Sequence, residues 1–176
     1  PGALERAHLA LGDWRDIRAR LADTETRMCA VMDELGLAGL VTTIAGLTVT
    51  GAAAILAETG DPARFATPRA LVKHAGLCPR DNSSGAVQGK TSISGRGRPG
   101  LRLAAWRAVW AAMPNNPVMA ARFTCLTTRQ DNRLARQQAR TACAAAVLRW
   151  IYVVVTRHVA WDPAIAAGAS PARRAG

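Results

Sequence analysis

Aromatic residues are scarce in this sequence, at 5% of 176 residues, whereas apolar residues of all kinds make up 49%. Sandwiches and barrels built from strands need many β-branched and aromatic residues, so this composition argues against them. The apolar fraction is large enough to bury a core, which excludes wholesale disorder. Because alanine and arginine are abundant, we predict a mainly α fold of ordinary domain size.

Acidic residues are almost missing from the C-terminal two-thirds. Residues 62–176 hold three acids and eighteen bases, a net charge of +15, whereas residues 1–61 hold nine acids and five bases, a net charge of −4. A segment this basic predicts a polyanion as its partner. The alternative is a solvated basic surface encoded by a GC-rich genome, which explains arginine in place of lysine but not the shortage of acids.

Patterns that build metal or disulfide sites are also missing. The four cysteines form no Cys-x-x-Cys pair, so we expect free thiols in a reducing cytoplasm and neither zinc nor disulfides. Too few carboxylates lie in the basic region for a two-metal site, and no metal is expected to bind this chain. The apolar run at 142–155 contains Arg149 and is shorter than a membrane span, which predicts no membrane association.

Heptad spacing predicts one long helix over residues 4–35. Apolar residues recur every seven positions, and a second set follows three residues later: Trp14, Leu21, Met28 and Leu35, with Ile17, Thr24 and Val31. This pattern suits a coiled-coil seam or a helical hairpin. An amphipathic helix that packs on its own domain fits it equally well.

Glycine, proline and capping residues predict the remaining elements. A short helix, a turn at Gly46 and a second helix ending near Gly60 come first, and Thr48 or Thr50 can cap the second helix. Thr67 can cap the next helix, and further helices are predicted at 68–75, 101–113, 118–128 and 132–158. The glycine- and proline-rich segment 76–100 predicts short strands or an ordered loop, and residues 164–176 a flexible tail.

The turn around Gly46 resembles a helix-hairpin-helix, a module that binds the DNA backbone without reading sequence. A glycine there lets backbone N–H groups approach a phosphate, and the following helix adds positive charge at its N-terminus. Gly46 and Thr48 are therefore candidate DNA-binding residues, although Thr48 stands where the usual hairpin has a second glycine. The alternative is an ordinary helical packing unit.

Ser83 and Ser84 lie in a second candidate site, the segment from 76 to 100. A serine that attacks a phosphodiester needs cations to polarise its target. Five bases near the serines can bind phosphate: Arg80, Lys90, Arg96, Arg98 and Arg102. His74 could act as a base, but we favour a structural role for it. On its own, Ser-Ser-Gly is most often a common turn.

Several spaced motifs resemble the C-terminal domain of one transposase family. They are Ile44-Ala45-Gly46-Leu47, Leu56-Ala57-Glu58-Thr59-Gly60-Asp61, His74-Ala75-Gly76-Leu77-Cys78-Pro79-Arg80, Ser83-Ser84-Gly85, Ile93-Ser94-Gly95-Arg96-Gly97-Arg98-Pro99-Gly100, Asn116-Pro117 and Trp161-Asp162-Pro163. The family is the insertion-sequence family numbered one hundred and ten, the DEDD transposases or bridge-RNA-guided recombinases. The resemblance covers about residues 40–163.

The resemblance implies a mechanism and partners. Ser84, with Ser83 as the fallback, would attack DNA and form a covalent phosphoserine. A resolvase-like N-terminal half, whose four acids hold magnesium, is not in this sequence, so we expect a fragment that is inactive alone. DNA, a guide RNA and other copies of the protein are the implied partners.

The resemblance also divides the chain. Residues 1–39 would be the end of a coiled-coil linker, 40–163 the recombination domain and 164–176 the tail. The alternative function is a non-catalytic helix-hairpin-helix module that binds nucleic acid.

Overall fold

The structure is a computed structural model that describes residues 2–80 and 92–168. The described part is mainly α-helical, as predicted. Its helices are α1 Gly2–Glu34, α2 Ala38–Val41, α3 Val49–Thr59, α4 Pro68–His74, α5 Pro99–Ala112, α6 Pro117–Thr128, α7 Arg136–Arg157 and α8 Pro163–Ala166. A 3₁₀ turn spans Pro62–Arg64, and two strands, β1 Pro79–Arg80 and β2 Ser92–Ile93, pair antiparallel.

Helix α7 is the centre of the fold, and α4, α5 and α6 pack around it. An alanine-rich stretch in its middle is buried, so neighbouring helices can approach closely. We predicted that the apolar run at 142–155 is too short to span a membrane. The whole helix is long and apolar enough to span one, but 61% of its most apolar window is buried inside the fold. Its apolar character is therefore explained by its place in the core.

Helix α1 extends away from this core. Every residue from 2 to 27 is exposed, and contact with the domain begins with the partly buried Met28 and the buried Met32. Trp14, Ile17 and Leu21 in the heptad pattern are 53%, 64% and 56% exposed. The packing alternative is therefore wrong for residues 2–27, whose apolar seam is not covered by the described part of the chain.

Side-chain caps set the starts of four helices, as the sequence indicated for two of them. Thr48 accepts a hydrogen bond from the Gly51 N–H at 3.0 Å, and Thr67 accepts one from the Ala70 N–H at 3.2 Å. Asn116 and Asp162 do the same for α6 and α8. Such caps satisfy N–H groups that have no partner within the helix.

Of the predicted boundaries that differ from the structure, two have a visible cause. Helix α7 begins at Arg136 rather than at 132, because Asn132 adopts a positive φ of 53° and the Leu134 N–H donates to the Leu126 carbonyl. The predicted tail begins with the short helix α8, which Asp162 caps. Residues 169–176 lie outside the described part of the chain.

Candidate nucleic-acid interface

The turn between α2 and α3 packs tightly against the end of α5. Gly46 has a φ of 77°, and a Cβ on it would lie 2.7 Å from the Ala112 Cα. The buried Asn116 fixes the same turn, since its Nδ2 donates to the Ala45 carbonyl at 3.1 Å. Packing thus explains the glycine at position 46. Its contact with a DNA phosphate stays a prediction.

Thr48, the other hairpin candidate, is an exposed residue at the start of α3. Its Oγ1 is the cap described above and also lies 3.2 Å from the Thr50 Oγ1. The prediction that Thr48 or Thr50 caps this helix is confirmed for Thr48. The N-terminus of α3 therefore has one of its N–H groups already satisfied by the chain itself.

Strands β1 and β2 bring together the two ends of the serine-bearing segment. Arg80 pairs with Ser92 and Pro79 with Ile93, and the Ser94 N–H donates to the Cys78 carbonyl at 2.9 Å. Of the predicted alternatives for this region, short strands are therefore present. Ser83, Ser84 and Lys90 lie outside the described residues.

Beyond the strands, the two chain segments cross with almost no space between them. A Cβ on Gly97 would lie 2.4 Å from the His74 carbonyl oxygen, and one on Gly76 would lie 3.0 Å from the Arg96 oxygen. The Gly95 N–H donates to the Gly76 carbonyl at 3.1 Å. Glycines of the Gly-rich motif thus allow backbone to pack on backbone where the two segments cross.

Two of the five predicted phosphate-binding bases have partners inside the fold. The Arg98 Nε lies 2.8 Å from the Glu58 Oε2. The Arg102 Nη1 donates to the Ala75 carbonyl at 3.0 Å and to the Gly95 carbonyl at 3.3 Å. Arg98 therefore links the segment after β2 to α3, and Arg102 links α5 to the end of α4 and to Gly95.

Arg80 and Arg96 differ from that pair. Both are exposed, and neither has an ion pair with a described acidic residue. Arg80 lies on β1, which leads into the serine-bearing segment, and Arg96 follows β2, which leads out of it. Of the predicted bases that the structure describes, these two have the guanidinium groups best placed to meet a phosphate.

His74 lies beside a cation and an aromatic ring. Its Nε2 is 3.4 Å from the Arg64 Nη2, and its ring centroid is 5.2 Å from that of Phe65. Burial, followed by the charges of Arg64 and Arg98, lowers the pKa of His74. Arg64 in turn donates to the Thr59 carbonyl at 2.9 Å. These contacts favour the structural role over that of a catalytic base.

Metal-ligating residues do not cluster in the described ranges, 2–80 and 92–168. No group of three or more His, Cys, Asp or Glu side chains lies close enough to hold an ion there. The four cysteines are free, as predicted. Burial raises the pKa of Cys143, while the nearby charge of Arg122 acts in the opposite direction. This thiol is thus held in its neutral form within the core.

Sequence reasoning missed Arg140, on the first turns of α7. Its guanidinium carbon lies 4.1 Å from the Trp110 ring centroid and 5.7 Å from that of Phe123. The arrangement joins α5, α6 and α7, so no spacing within one helix could have revealed it. The only available signal was the coexistence of tryptophan and arginine in an acid-poor segment.

A groove of about 810 Å³ lies between α1, α3 and the end of α7. Apolar side chains such as Met28, Leu56 and Val155 form most of its walls. A polyanion requires the opposite chemistry. The groove is therefore not part of the candidate nucleic-acid interface.

Comparison with known families gives one match. The profile described as the Transposase IS116/IS110/IS902 family matches residues 38–124. This range begins at the first residue of α2 and ends within α6, so it includes the Gly46 turn and the serine-bearing hairpin. A search of curated proteins found no match.

Proposed function

Residues 38–124 of this chain belong to the IS116/IS110/IS902 transposase family, and from that membership we propose that the chain is the recombination domain of a transposase in which Ser84 attacks DNA. The family as such implies an interaction with DNA. The identity of the nucleophile goes further and rests on the motif around Ser83, Ser84 and Gly85. The observation that carries the proposal is the pairing of β1 with β2, which brings the two ends of this segment together near two exposed arginines.

The proposed reaction conserves the phosphodiester energy. The Ser84 oxygen forms a bond to phosphorus and the deoxyribose oxygen leaves, so that the serine proton passes, in net terms, to the departing hydroxyl. A free deoxyribose hydroxyl of another strand then attacks the same phosphorus and releases the serine with its proton. Covalent catalysis of this kind replaces one difficult exchange by two easier steps.

Arg80 and Arg96 have the charge that this reaction needs. Negative charge on the phosphate oxygens must be stabilised while the two oxygens exchange, and fixed cations do this in phosphoryl transfer. Both residues are exposed at the base of the hairpin, which β1–β2 pairing and the close glycine crossing hold in place. We propose that they bind the phosphate of the strand under attack.

Magnesium, in this proposal, is bound by the acids of a resolvase-like domain rather than by this chain. The described residues do not gather three or more potential ligands. Magnesium prefers carboxylate oxygens and its own waters, which the basic domain hardly offers. We therefore expect the isolated chain, in the cytoplasm, to bind DNA or guide RNA but not to catalyse recombination.

Oligomer formation is proposed to use the exposed seam of α1. The seven-residue repeat has Trp14 and Leu21 at its first position and Ile17 and Thr24 at its fourth. Asp13 and Arg20 directly precede the first-position residues, and Arg18 and Glu25 directly follow the fourth-position residues. A parallel pair of α1 helices would place Asp13 opposite Arg18 and Arg20 opposite Glu25 of the second copy. Reversing one charge, in Asp13→Arg, is expected to weaken self-association in sedimentation equilibrium, and adding Arg18→Asp should restore it.

Ser84→Ala in the complete transposase is the test of the nucleophile. We expect it to abolish recombination and the covalent protein–DNA adduct that denaturing gels detect, while DNA binding is retained. Ser83→Ala is the matched control, with the same atom removed one residue away. Recombination at the wild-type rate by Ser84→Ala would exclude the role of Ser84, and loss in Ser83→Ala alone would transfer that role to Ser83.

The alternative is a non-catalytic module that binds nucleic acid through the Gly46 hairpin. Both functions predict binding that weakens steeply with salt, so binding cannot separate them. The close packing of Gly46 on α5 gives this turn a structural reason that does not involve DNA. Absence of any covalent adduct from the active, complete protein would favour the alternative.

A further inference from the structure

The arginines that are available to a polyanion are only partly those that the sequence pattern singled out. Arg98 is bound to Glu58 and Arg102 to two carbonyls, whereas Arg140 has no ion pair with a described acidic residue. We propose that Arg140 is a phosphate-binding residue for a nucleic-acid backbone, on a surface that α5, α6 and α7 form together.

Arg140 is held in one place by aromatic rings. Its guanidinium lies 4.1 Å from the centroid of Trp110 and 5.7 Å from that of Phe123. Trp110 packs in turn against Trp106 in a T-shaped pair, with 5.4 Å between the ring centroids and an angle of 68° between the planes. A stacked guanidinium has already lost much of its side-chain freedom, so little more is lost when it binds.

The N–H groups of this guanidinium are largely unused. Its hydrogen bond in the described structure is a long one, from Nη1 to the Gln137 Oε1 at 3.5 Å. The ring contacts do not involve a hydrogen-bond acceptor, so they leave the N–H groups of the guanidinium for other acceptors. Arginine has five donors in a fork that matches two oxygens of one phosphate. Arg140 thus combines a fixed position with free donors.

Helix spacing places two further bases on the same surface as Arg140. Arg136 precedes Arg140 by one helical turn, and Arg107 precedes Trp110 by three residues on α5. Each therefore lies on the side of its helix that carries the contact between Arg140 and Trp110. Both are exposed, and Trp110 is 48% exposed. We call this set the Trp110 face: Arg107, Trp110, Phe123, Arg136 and Arg140.

Charge on this face favours a nucleic acid over an acidic protein segment. From residue 62 onward, the described acids are Asp131 and Asp162, and neither forms an ion pair with a base of the Trp110 face. A run of phosphates can neutralise several such arginines at once and releases counterions in doing so. The shared ligand chemistry is the phosphodiester backbone, which DNA and guide RNA both offer.

The inference rests on the proposed function, because a recombination domain must bind nucleic acid outside the reacting phosphate. Arg140→Gln is the test in the full chain, with Arg157→Gln as the matched control on the same helix. Both remove one charge, but Arg157 is exposed at the far end of α7, about 25 Å away at 1.5 Å per residue. Binding of labelled duplex DNA and of labelled single-stranded RNA is measured over a series of salt concentrations.

Loss of one phosphate contact has a defined signature. In Arg140→Gln, the slope of log K against log salt concentration should become shallower by about 0.9 for duplex DNA and about 0.7 for a single strand. For the duplex, this change corresponds to about eightfold weaker binding at ~0.1 M salt. Arg157→Gln should leave the slope unchanged. Arg140→Lys keeps the charge without the fork and should retain the slope but bind more weakly. Whichever of the two nucleic acids, duplex DNA or single-stranded RNA, loses more affinity for Arg140→Gln is identified as the ligand.

Several results would overturn the inference. One is a salt slope that Arg140→Gln leaves unchanged for both ligands, and another is an equal loss of affinity in Arg157→Gln. A third is a change in oligomeric state without a change in nucleic-acid binding, which would make an acidic segment of a second copy the occupant. If Arg140→Gln does not fold, Arg107→Gln, which replaces an exposed residue, becomes the test, and it must also make the salt dependence of binding shallower. Adduct formation by Ser84 is scored separately, so failure of the Trp110 face and failure of the proposed nucleophile are distinguishable.

Discussion

Replacing Asn116 by alanine is expected to destabilise the domain strongly, although the residue lies in a turn. Asn116 is 1% exposed, its Oδ1 accepts a hydrogen bond from the Met119 N–H at 3.0 Å, and its Nδ2 donates to the Ala45 carbonyl at 3.1 Å. One side chain thus caps α6 and fastens the turn between α2 and α3 to it. Alanine removes both bonds at once.

The expected magnitude follows from these two bonds. Loss of an N-cap costs about 1 kcal/mol. An unpaired carbonyl in a partly buried site adds about 1–3 kcal/mol. We therefore expect about 3 kcal/mol in total, which for a chain of this length lowers the melting temperature by about 6–12 °C.

Asn115 offers a matched control, because the same substitution there removes an exposed side chain. Its Nδ2 donates to the Ala111 carbonyl at 3.2 Å within a helix end that stays in water. Asn115→Ala should change the free energy of unfolding by about 0.5 kcal/mol or less. Asn116→Ser keeps a capping oxygen but does not reach Ala45, and it should fall between the two alanine variants.

Thermal and urea unfolding followed by circular dichroism measure these differences. Equal stability of Asn116→Ala and Asn115→Ala would refute the reasoning, since it would mean that the buried amide contributes nothing. A Ser variant as unstable as the Ala variant would show that the contact with Ala45, rather than the cap, supplies the whole effect.

The hairpin base and the histidine give two further predictions. Gly97→Ala should lower the free energy of unfolding by about 1–3 kcal/mol, because the new Cβ would lie 2.4 Å from the His74 carbonyl oxygen. In Gly39→Ala on α2, the new Cβ meets nothing within 4 Å, so this variant should be as stable as the wild type or more stable. Because burial and the charges of Arg64 and Arg98 lower the pKa of His74, the unfolded state binds more protons, so stability should fall as the pH drops below about 6.5. His74→Gln should flatten that pH dependence in urea titrations.

Two outcomes would contradict these predictions. A Gly97→Ala variant as stable as Gly39→Ala would mean that the crossing backbones can separate without cost. A wild-type protein whose stability rises on acidification through this range, relative to His74→Gln, would reverse the sign of the argument about His74.

Local sequence predicted the helices well, because each depends on neighbours in the chain. Thr48 and Thr67 bond to N–H groups three residues away, and glycine-rich stretches cannot continue a helix. The start of α7 was predicted too early because Arg, Leu and Ala at 133–135 suit a helix, whereas the hydrogen bond from the Leu134 N–H to the Leu126 carbonyl holds these residues in a connector. That bond depends on how α6 and α7 pack, which propensity does not encode.

The sequence alone determined the mainly helical class, the basic character of the C-terminal part and the motif that resembles a transposase, since these depend on composition and on residues close in the chain. The tertiary structure decided which arginines are available. Glu58 binds Arg98 from 40 residues away, Arg102 donates to a carbonyl 27 residues away, and Trp110 and Phe123 hold Arg140 across three helices. Whether a charge is used for the fold or left for a ligand depends on what packing places beside it, and spacing along the chain does not carry that information.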